Sequence, residues 1–398
     1  MAANQEPIEI TDPQEDRYAT LRAIPWWDQA RVQAARVVVV GAGALGNEVL
    51  KNLALLGVGT LVIIDMDRVE AANLTRSLLF RAGDAGRSKA EAAAAGVRAI
   101  NPEVSAISLH ADVTREVGLG LFRRADVVIG CLDNRAARLA VNSACWQVGR
   151  PWVDGGLGVL DGMVRAFTPP EGACYECTLT STDYALLNLR YSCPPGFRLV
   201  AGREPTTPMA AAIIGAMQVQ EAVRLIHGQT VRGGRSVYYS ASGPRLTPVE
   251  HRRRADCTAH HRYEPIVELP LHVERLTLGQ LFAAAHAHTG GPAVLYLQRP
   301  IVTFLSCPDC GQHELAARPY DTVVPDFVPC PQCGALRRFD VTGTLHNDPD
   351  LAAIPIAQLG IPPLEILSFR TVEGWRYLEL SADADAMFAH REEDGARC

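Results

Sequence analysis

The stretch "ARVVVVGAGALGNEVLKNLALLGVGTLVIIDMD", residues 35 to 67, constrains the fold of this chain more than any other. Val37 to Val40 is a short apolar run, the mark of a strand buried in a parallel sheet. Gly41, Gly43 and Gly46 follow as G-x-G-x-x-G. An amphipathic helix comes next, carrying Val49, Leu50, Leu53 and Leu56. Leu61 to Ile64 reads as a second strand, ending in Asp65. The spacing predicts a βαβ unit with the glycine turn between strand and helix. Glycines there let backbone N–H groups approach phosphate at a helix N-terminus. Asp65, about 20 residues on, suits a ribose hydroxyl.

Taken alone, the glycine motif favours a nicotinamide or flavin oxidoreductase. The next segment, "DMDRVEAANLTRSLLFRAGDAGRSKAEAAAAGV", argues against it. It brings Asp67, Asn73, Arg76, Arg87 and Lys89 into one loop and helix start. The glycine loop alone handles a dinucleotide's two phosphates. A nucleoside triphosphate gathers about four negative charges, and cations such as Arg76 and Lys89 would neutralise them. The bland reading is a set of solvated surface charges. A further strand, "ADVVIGCLDN" (125 to 134), is read as the third and ends in Asp133. Ligands bind beyond strand C-termini in open α/β sheets. Asp133 therefore suits magnesium on the phosphates, or the N-cap of a helix starting near Arg135.

At 398 residues, two or three domains are expected. A net charge of −6 argues against a nucleic-acid partner. No apolar run reaches the roughly 18 residues of a membrane span. The polar, acidic start "MAANQEPIEITDPQEDRY" is no signal peptide, so the expectation is a cytoplasmic chain without a membrane partner. The helical pattern "PMAAAIIGAMQVQEAVRLIHG" (208 to 228) reads as core or dimer interface.

Six of the 11 cysteines fall in three C-x-x-C pairs: Cys174/Cys177, Cys307/Cys310 and Cys330/Cys333. Cys257 and His260 form a C-x-x-H. In a cytosolic chain this pattern reads as zinc rather than disulfides. "CPDC" and "CPQC", with residues 311 to 329 between them, make a zinc ribbon. Four thiolates leave no open position, so that site is expected to be structural.

"GAGALG", "DMDRVEAANLTR", Lys89, "CLDN" and "PWVDGGLGVLDGMVRAFTPPEGACYEC", in this order, resemble the E1-like adenylyltransferase superfamily. Its ThiF/MoeB branch activates bacterial sulfur carriers, and its other branch activates ubiquitin-like proteins. The resemblance covers roughly residues 15 to 260. It implies that Asp65 holds the ribose, that Arg76 and Lys89 grip the phosphates, and that Asp133, with Asn134 beside it, holds magnesium. Ser77 stands where the family often has Gln. An N-terminal arginine reaches ATP across a dimer in the family; Arg17 and Arg22 are both candidates. The resemblance also implies a second pair of ligands for "CYEC", which gives a structural zinc on Cys174, Cys177, Cys257 and His260. His261 is the rival fourth ligand.

Cys193 lies in "NLRYSCPPGFRLVAGREPTTP", a loop-like stretch where reactive residues tend to lie. Arg190, Arg198 and Arg203 could lower its pKa. A buried free thiol is the plain alternative. "CYECTLT…YSC" resembles the eukaryotic E1 arrangement, which implies a thioester on Cys193 and handover to an E2. Pro194 replaces the Thr usual there, and the cysteine region is short. Without the thioester, the chain would resemble the sulfur-carrier activators.

The expected fold is α/β, a Rossmann-like doubly wound sheet followed by a C-terminal α+β ubiquitin-fold-like domain. The expected divisions are an arm (1–35), an adenylation domain (36–268) with a cysteine segment at about 178–208, a C-terminal domain (269–385) with its zinc-ribbon insert (307–333), and a tail (386–398). "IAQLGIPPLEIL" carries the ubiquitin-fold resemblance. The expected activity is ATP- and Mg²⁺-dependent adenylation of a ubiquitin-like protein at its C-terminal glycine. Two structural Zn²⁺ ions, an E2-like partner and a homodimer complete the expectation. Bacterial E1-like proteins of this size occur with such partners, some in antiviral defence. A scaffold that only binds partners is the reading from a different class.

Overall fold

The computed structural model describes residues 16–185, 205–323 and 329–388. The chain forms two compact units. The first is Met1–Thr114 with Phe122–His261, and the second is Arg115–Leu121 with Arg262–Cys398.

The first unit is built on eight strands: β1 (Arg36–Val40), β2 (Thr60–Ile64), β3 (Ser105–Leu109), β4 (Val127–Gly130), β5 (Trp152–Leu157), β6 (Gly162–Phe167), β7 (Arg235–Ser240) and β8 (Arg245–Glu250). Their order is β3-β2-β1-β4-β5-β6-β7-β8. β1 to β5 run parallel, and β6 to β8 continue antiparallel. Val37, Val38, Val39 and Val40 are all buried. Successive strand residues point to opposite faces, so both faces of β1 are covered. Strand order reverses between β1 and β4, and crevices form at such switch points.

Four long helices belong to this unit: α1 (Ala44–Leu56), α2 (Lys89–Ile100), α3 (Arg135–Val148) and α4 (Pro208–Ile226). α1 buries Val49, Leu50 and Leu53 and ends at Gly57, whose φ of 73° suits a helix stop. Each fully buried Leu or Ile here contributes about 1.5–3 kcal/mol relative to exposure. α4 is long and apolar enough for a membrane span by composition alone. Yet Ala211, Ile214, Gln218 and Val223 are buried, and the helix packs on α1 and β5.

The strand read from sequence as the third is the fourth along the chain. β3 was not legible because "SAISL" alternates small polar residues at a sheet edge, and all five are only half-buried. The strand within 125–134 stops at Gly130, so Asp133 lies in the loop beyond it.

The second unit has a six-stranded sheet: β9 (Ile266–Leu269), β10 (Val294–Ser306), β11 (His313–Pro319), β12 (Arg338–Leu345), β13 (Ile366–Thr371) and β14 (Gly374–Leu380). The order is β11-β10-β13-β14-β9, with β12 paired to β10. Helix α5 (Leu278–Thr289) packs on β14. Thr277 and Gln280 close its N-terminus as a capping box, and Gly290 at φ 67° ends it. β9 pairs parallel with β14, so the sheet of this unit takes in Ile266–Leu269 as well.

Glu365 is buried just before β13, at 6% exposure. Its Oε1 accepts from Gln298 Nε2 and from the Ile366 N–H, both at 3.0 Å. Burial, with the charge of Glu379, raises its pKa to about 8. The unfolded carboxyl ionises near its ordinary value of 4.5. Between these values the folded chain holds a proton that the unfolded chain has lost. Stability therefore falls with rising pH across that window, by about 1.4 kcal/mol per unit. Glu365→Gln is expected to flatten this decline and to raise the melting temperature at pH 8. Denaturation of both proteins at pH 5.5, 7 and 8.5 checks it; parallel pH profiles would contradict it.

Candidate active site

The glycine turn sits at the C-terminal end of β1, beside β4. Gly41 has φ 97°, and a Cβ there would lie 2.3 Å from the Cys131 carbonyl oxygen. A Cβ on Gly46 would lie 2.0 Å from the Gly41 oxygen. Both glycines thus let three backbone segments approach closely. Gly43 differs: a Cβ there meets nothing within 4 Å. It is also the N-cap of α1 and makes no side-chain cap bond. The space beside Gly43 at the start of α1 is therefore open, and an uncapped helix N-terminus suits an anion.

Asp65 follows directly on β2 and faces this turn. Its carboxylate accepts from the Ala42 N–H at 2.7 Å and the Asp67 N–H at 2.8 Å. Burial raises its pKa, while Lys89 and the two N–H groups oppose that shift. Lys89 is the first residue of α2, after the N-cap Ser88. Its side chain is 13% exposed, and Nζ lies 2.8 Å from Asp67 Oδ2. A cation at a helix N-terminus adds to the positive end of the helix dipole. Asp67 offsets it here, and a phosphate would do so more strongly.

The remaining sequence-predicted residues hold local bonds. Asn73 accepts from the Glu70 N–H at 2.9 Å and closes a short helical turn. Arg76 donates to the Ala72 carbonyl at 2.9 Å. Arg87 pairs with Asp84 at 2.6 Å. The Ser77 hydroxyl is buried with no partner among the described residues. Beyond β4, Asn134 rather than Asp133 caps α3, accepting from the Ala137 N–H at 2.8 Å. Asp133 is exposed, and Asn134 Nδ2 donates to it at 3.0 Å.

The described residues also hold two groups of metal-ligating atoms, one in each unit. Cys174, Cys177, Cys257 and His260 bring their ligand atoms within 4.8 Å of one another. Cys174 Sγ lies 3.7 Å from Cys177 Sγ and 3.6 Å from Cys257 Sγ. Cys177 Sγ lies 3.4 Å from His260 Nε2. Tetrahedral zinc with bonds of about 2.3 Å to sulfur needs S···S edges of about 3.8 Å. The donor set and its spacing fit zinc, and it is His260, not His261, that completes it. Cys307, Cys310, Cys330 and Cys333 form the second group. Its Cys307–Cys333 and Cys310–Cys330 edges are both 3.5 Å. Each C-P-x-C turn closes on a glycine at positive φ, Gly311 at 73° and Gly334 at 77°.

Sequence reasoning missed a buried ionic group within the first unit. Asp154 on β5 is fully buried between Arg138 Nε at 3.0 Å and Arg165 Nε at 3.0 Å. Gln218 on α4, also fully buried, ties the Gly130 and Val153 carbonyls together. A charged residue inside the otherwise apolar run "PWVDGGL" was the available signal. Cys193 and its neighbours Arg190, Arg198 and Arg203 lie outside the described residues.

A family model described as the ThiF family matches residues 15–261. A "SAMP-activating enzyme E1" of Haloferax volcanii is 33% identical over 231 residues, 58% of this chain and 81% of the relative. A "Sulfur carrier protein adenylyltransferase" of Thermus thermophilus is 33% identical over 226 residues, 55% of this chain and 80% of the relative. The crystal structure of E. coli MccB with ATP superposes with a TM-score of 0.54 at 19% identity, over 64% of this chain and 76% of that one. That likeness is one of fold alone.

Proposed function

The chain belongs to the ThiF family, and on that premise we propose that it adenylates the C-terminal glycine of a small ubiquitin-like protein. The observation that carries the reading is the pairing of Lys89 with Asp67 beside Asp65, at the glycine turn. It joins a ribose-suited carboxylate to a largely buried cation where a phosphate chain would run.

A carboxylate is a poor electrophile, and ATP changes that. One carboxylate oxygen of the carrier attacks the α-phosphorus. The bond from that phosphorus to the bridging oxygen breaks, and pyrophosphate leaves with the electron pair. The acyl-adenylate remains. Gly41, Gly43 and Gly46 let the turn approach the nucleotide, and Asp65 takes the ribose. Arg76 and Lys89 hold the phosphates; Asp67 and Asn73 shape the loop around them. Magnesium on Asp133, with Asn134 steadying that carboxylate, would offset phosphate charge. Positioning and charge neutralisation suffice for this step. Arg17 bonds the Ile100 carbonyl at 3.1 Å. Arg22 pairs with Asp16 at the surface. Both are held by bonds within the first unit, and either Arg17 or Arg22 would be the one to reach ATP across a homodimer. Zinc on each cysteine group would be structural, since each offers four ligands.

The thiolate of Cys193 then attacks the adenylate's carbonyl carbon and expels AMP, and an E2-like protein takes the acyl group in turn. The second unit, whose "IAQLGIPPLEIL" segment carries the ubiquitin-fold resemblance, is the part of the chain assigned to recruiting that partner. A second reading stops at the adenylate, as a sulfur-carrier activator; the name of the Thermus thermophilus relative favours it. A non-reducing gel separates the two readings. Enzyme, carrier, ATP and Mg²⁺ should give a thiol-sensitive adduct that Cys193→Ala abolishes, with ATP–pyrophosphate exchange retained. Exchange without any adduct leaves the second reading.

A further inference from the structure

The ionic group under the nucleotide turn is larger than packing requires. Asp154 has no exposure, and Arg138 has 6%. Arg138 Nε donates to Asp154 Oδ1 at 3.0 Å, and Arg165 Nε donates to Oδ2 at 3.0 Å. Two guanidinium ions thus share one carboxylate. Burying such charges is costly, and apolar residues of similar size often serve stability better. A role beyond stability is therefore worth seeking.

The Nη2 group of Arg138 supplies it. Nη2 donates to the Leu132 carbonyl at 2.5 Å and to the Gly155 carbonyl at 3.1 Å. The Leu132 carbonyl belongs to the peptide group that leads into Asp133. That group is planar, so fixing its oxygen fixes the direction in which the chain enters Asp133. On the far side Asn134 is fixed as the cap of α3. Asp133 is thus held from both sides, while its carboxylate stays exposed.

We infer that Arg138, oriented by Asp154 and Arg165, is a positioning residue for Asp133 and hence for the metal–nucleotide site. The inference rests on the reading above that Asp133 holds magnesium. Lysine cannot replace Arg138. A single ammonium lacks the planar fork that reaches a carboxylate on one edge and two carbonyls on the other.

The test uses the full chain and calorimetric titration of ATP, without metal and over a series of Mg²⁺ concentrations. Asp133→Asn should raise the Mg²⁺ needed for half-maximal enhancement of ATP binding by about tenfold or more. Without metal it should not weaken ATP binding, because it removes a negative charge beside the phosphates. Arg138→Lys should shift the Mg²⁺ requirement about fivefold or more in the same direction, and the double variant no further than Asp133→Asn alone. Asp154→Asn, which weakens the orientation of Arg138 without removing it, should shift it less, and it serves if Arg138→Lys fails to fold. A shift with Asp133→Asn but none with Arg138→Lys or Asp154→Asn, even with a lowered melting temperature, assigns the ionic group to stability and overturns the inference. No shift with Asp133→Asn overturns the magnesium reading itself, and the inference falls with it.

Discussion

Lys89→Ala is expected to lower ATP–pyrophosphate exchange by about 10²–10³-fold, as loss of one preorganised charge typically does. The chain itself should barely notice. Asp67, the ion-pair partner, has a side chain 54% exposed to water. Such partly solvated pairs contribute about 0–1 kcal/mol, so the melting temperature should hold within about 2 °C. Large activity loss with little stability loss would mark Lys89 as a phosphate ligand. Arg87→Ala is the contrast, because Arg87 answers to Asp84. It should change exchange less than threefold. If both variants behave alike, the charges along this loop act as a solvated surface, and the triphosphate reading loses its main support. Exchange assays and thermal melts on the two variants decide between these results.

Loss of the first cysteine group is expected to have the largest effect on the fold. Cys174 is buried, and its group joins the turn after β6 to the segment after β8. The His260 ring packs on Trp146 at 4.5 Å, and the Tyr175 N–H donates to Asn142 at 2.9 Å. The two contacts bind the His260 turn and the Cys174–Cys177 turn to α3. Cys174→Ser should remove one zinc of two, as measured by metal analysis of the purified chain. It should cost about 4 kcal/mol or more, a fall of about 10 °C in melting temperature. Because α3 begins beside Asp133, exchange activity should fall as well. Cys330→Ser should also remove one zinc, yet leave exchange within twofold. Its group lies at the end of the β10–β11 hairpin, and Cys310 and Cys333 are exposed. Wild-type chain carrying no zinc after preparation without chelators would contradict both expectations.

What could be read from the sequence follows from what each element needs. β1, α1 and β2 were legible because apolar runs and a helical stripe bracket a glycine turn that tolerates few substitutes. The C-x-x-C and C-x-x-H pairs were legible because ligand spacing within each is set by a local turn, whereas the joining of Cys174 and Cys177 to Cys257 and His260 was implied only by the resemblance. His260 and His261 were not separable until the ring nitrogen was placed near Cys177. β3 escaped because an edge strand needs little apolar character. β9 escaped for a different reason. β9 is defined by pairing with β14, over a hundred residues later, and no local pattern announces that. The Arg138–Asp154–Arg165 group is the clearest gap. Its members sit on α3, β5 and β6, and a charged residue reads as surface unless its partner is known.

The central claim is adenylation of a protein C-terminus, and one exchange experiment tests it most directly. Labelled pyrophosphate, ATP and Mg²⁺ would be incubated with this chain and a ubiquitin-like protein ending in an exposed glycine. The account predicts label appearing in ATP only when that protein is present, and none when its final glycine is deleted. Exchange that ignores the glycine, or no exchange alongside tight NAD binding, would contradict it.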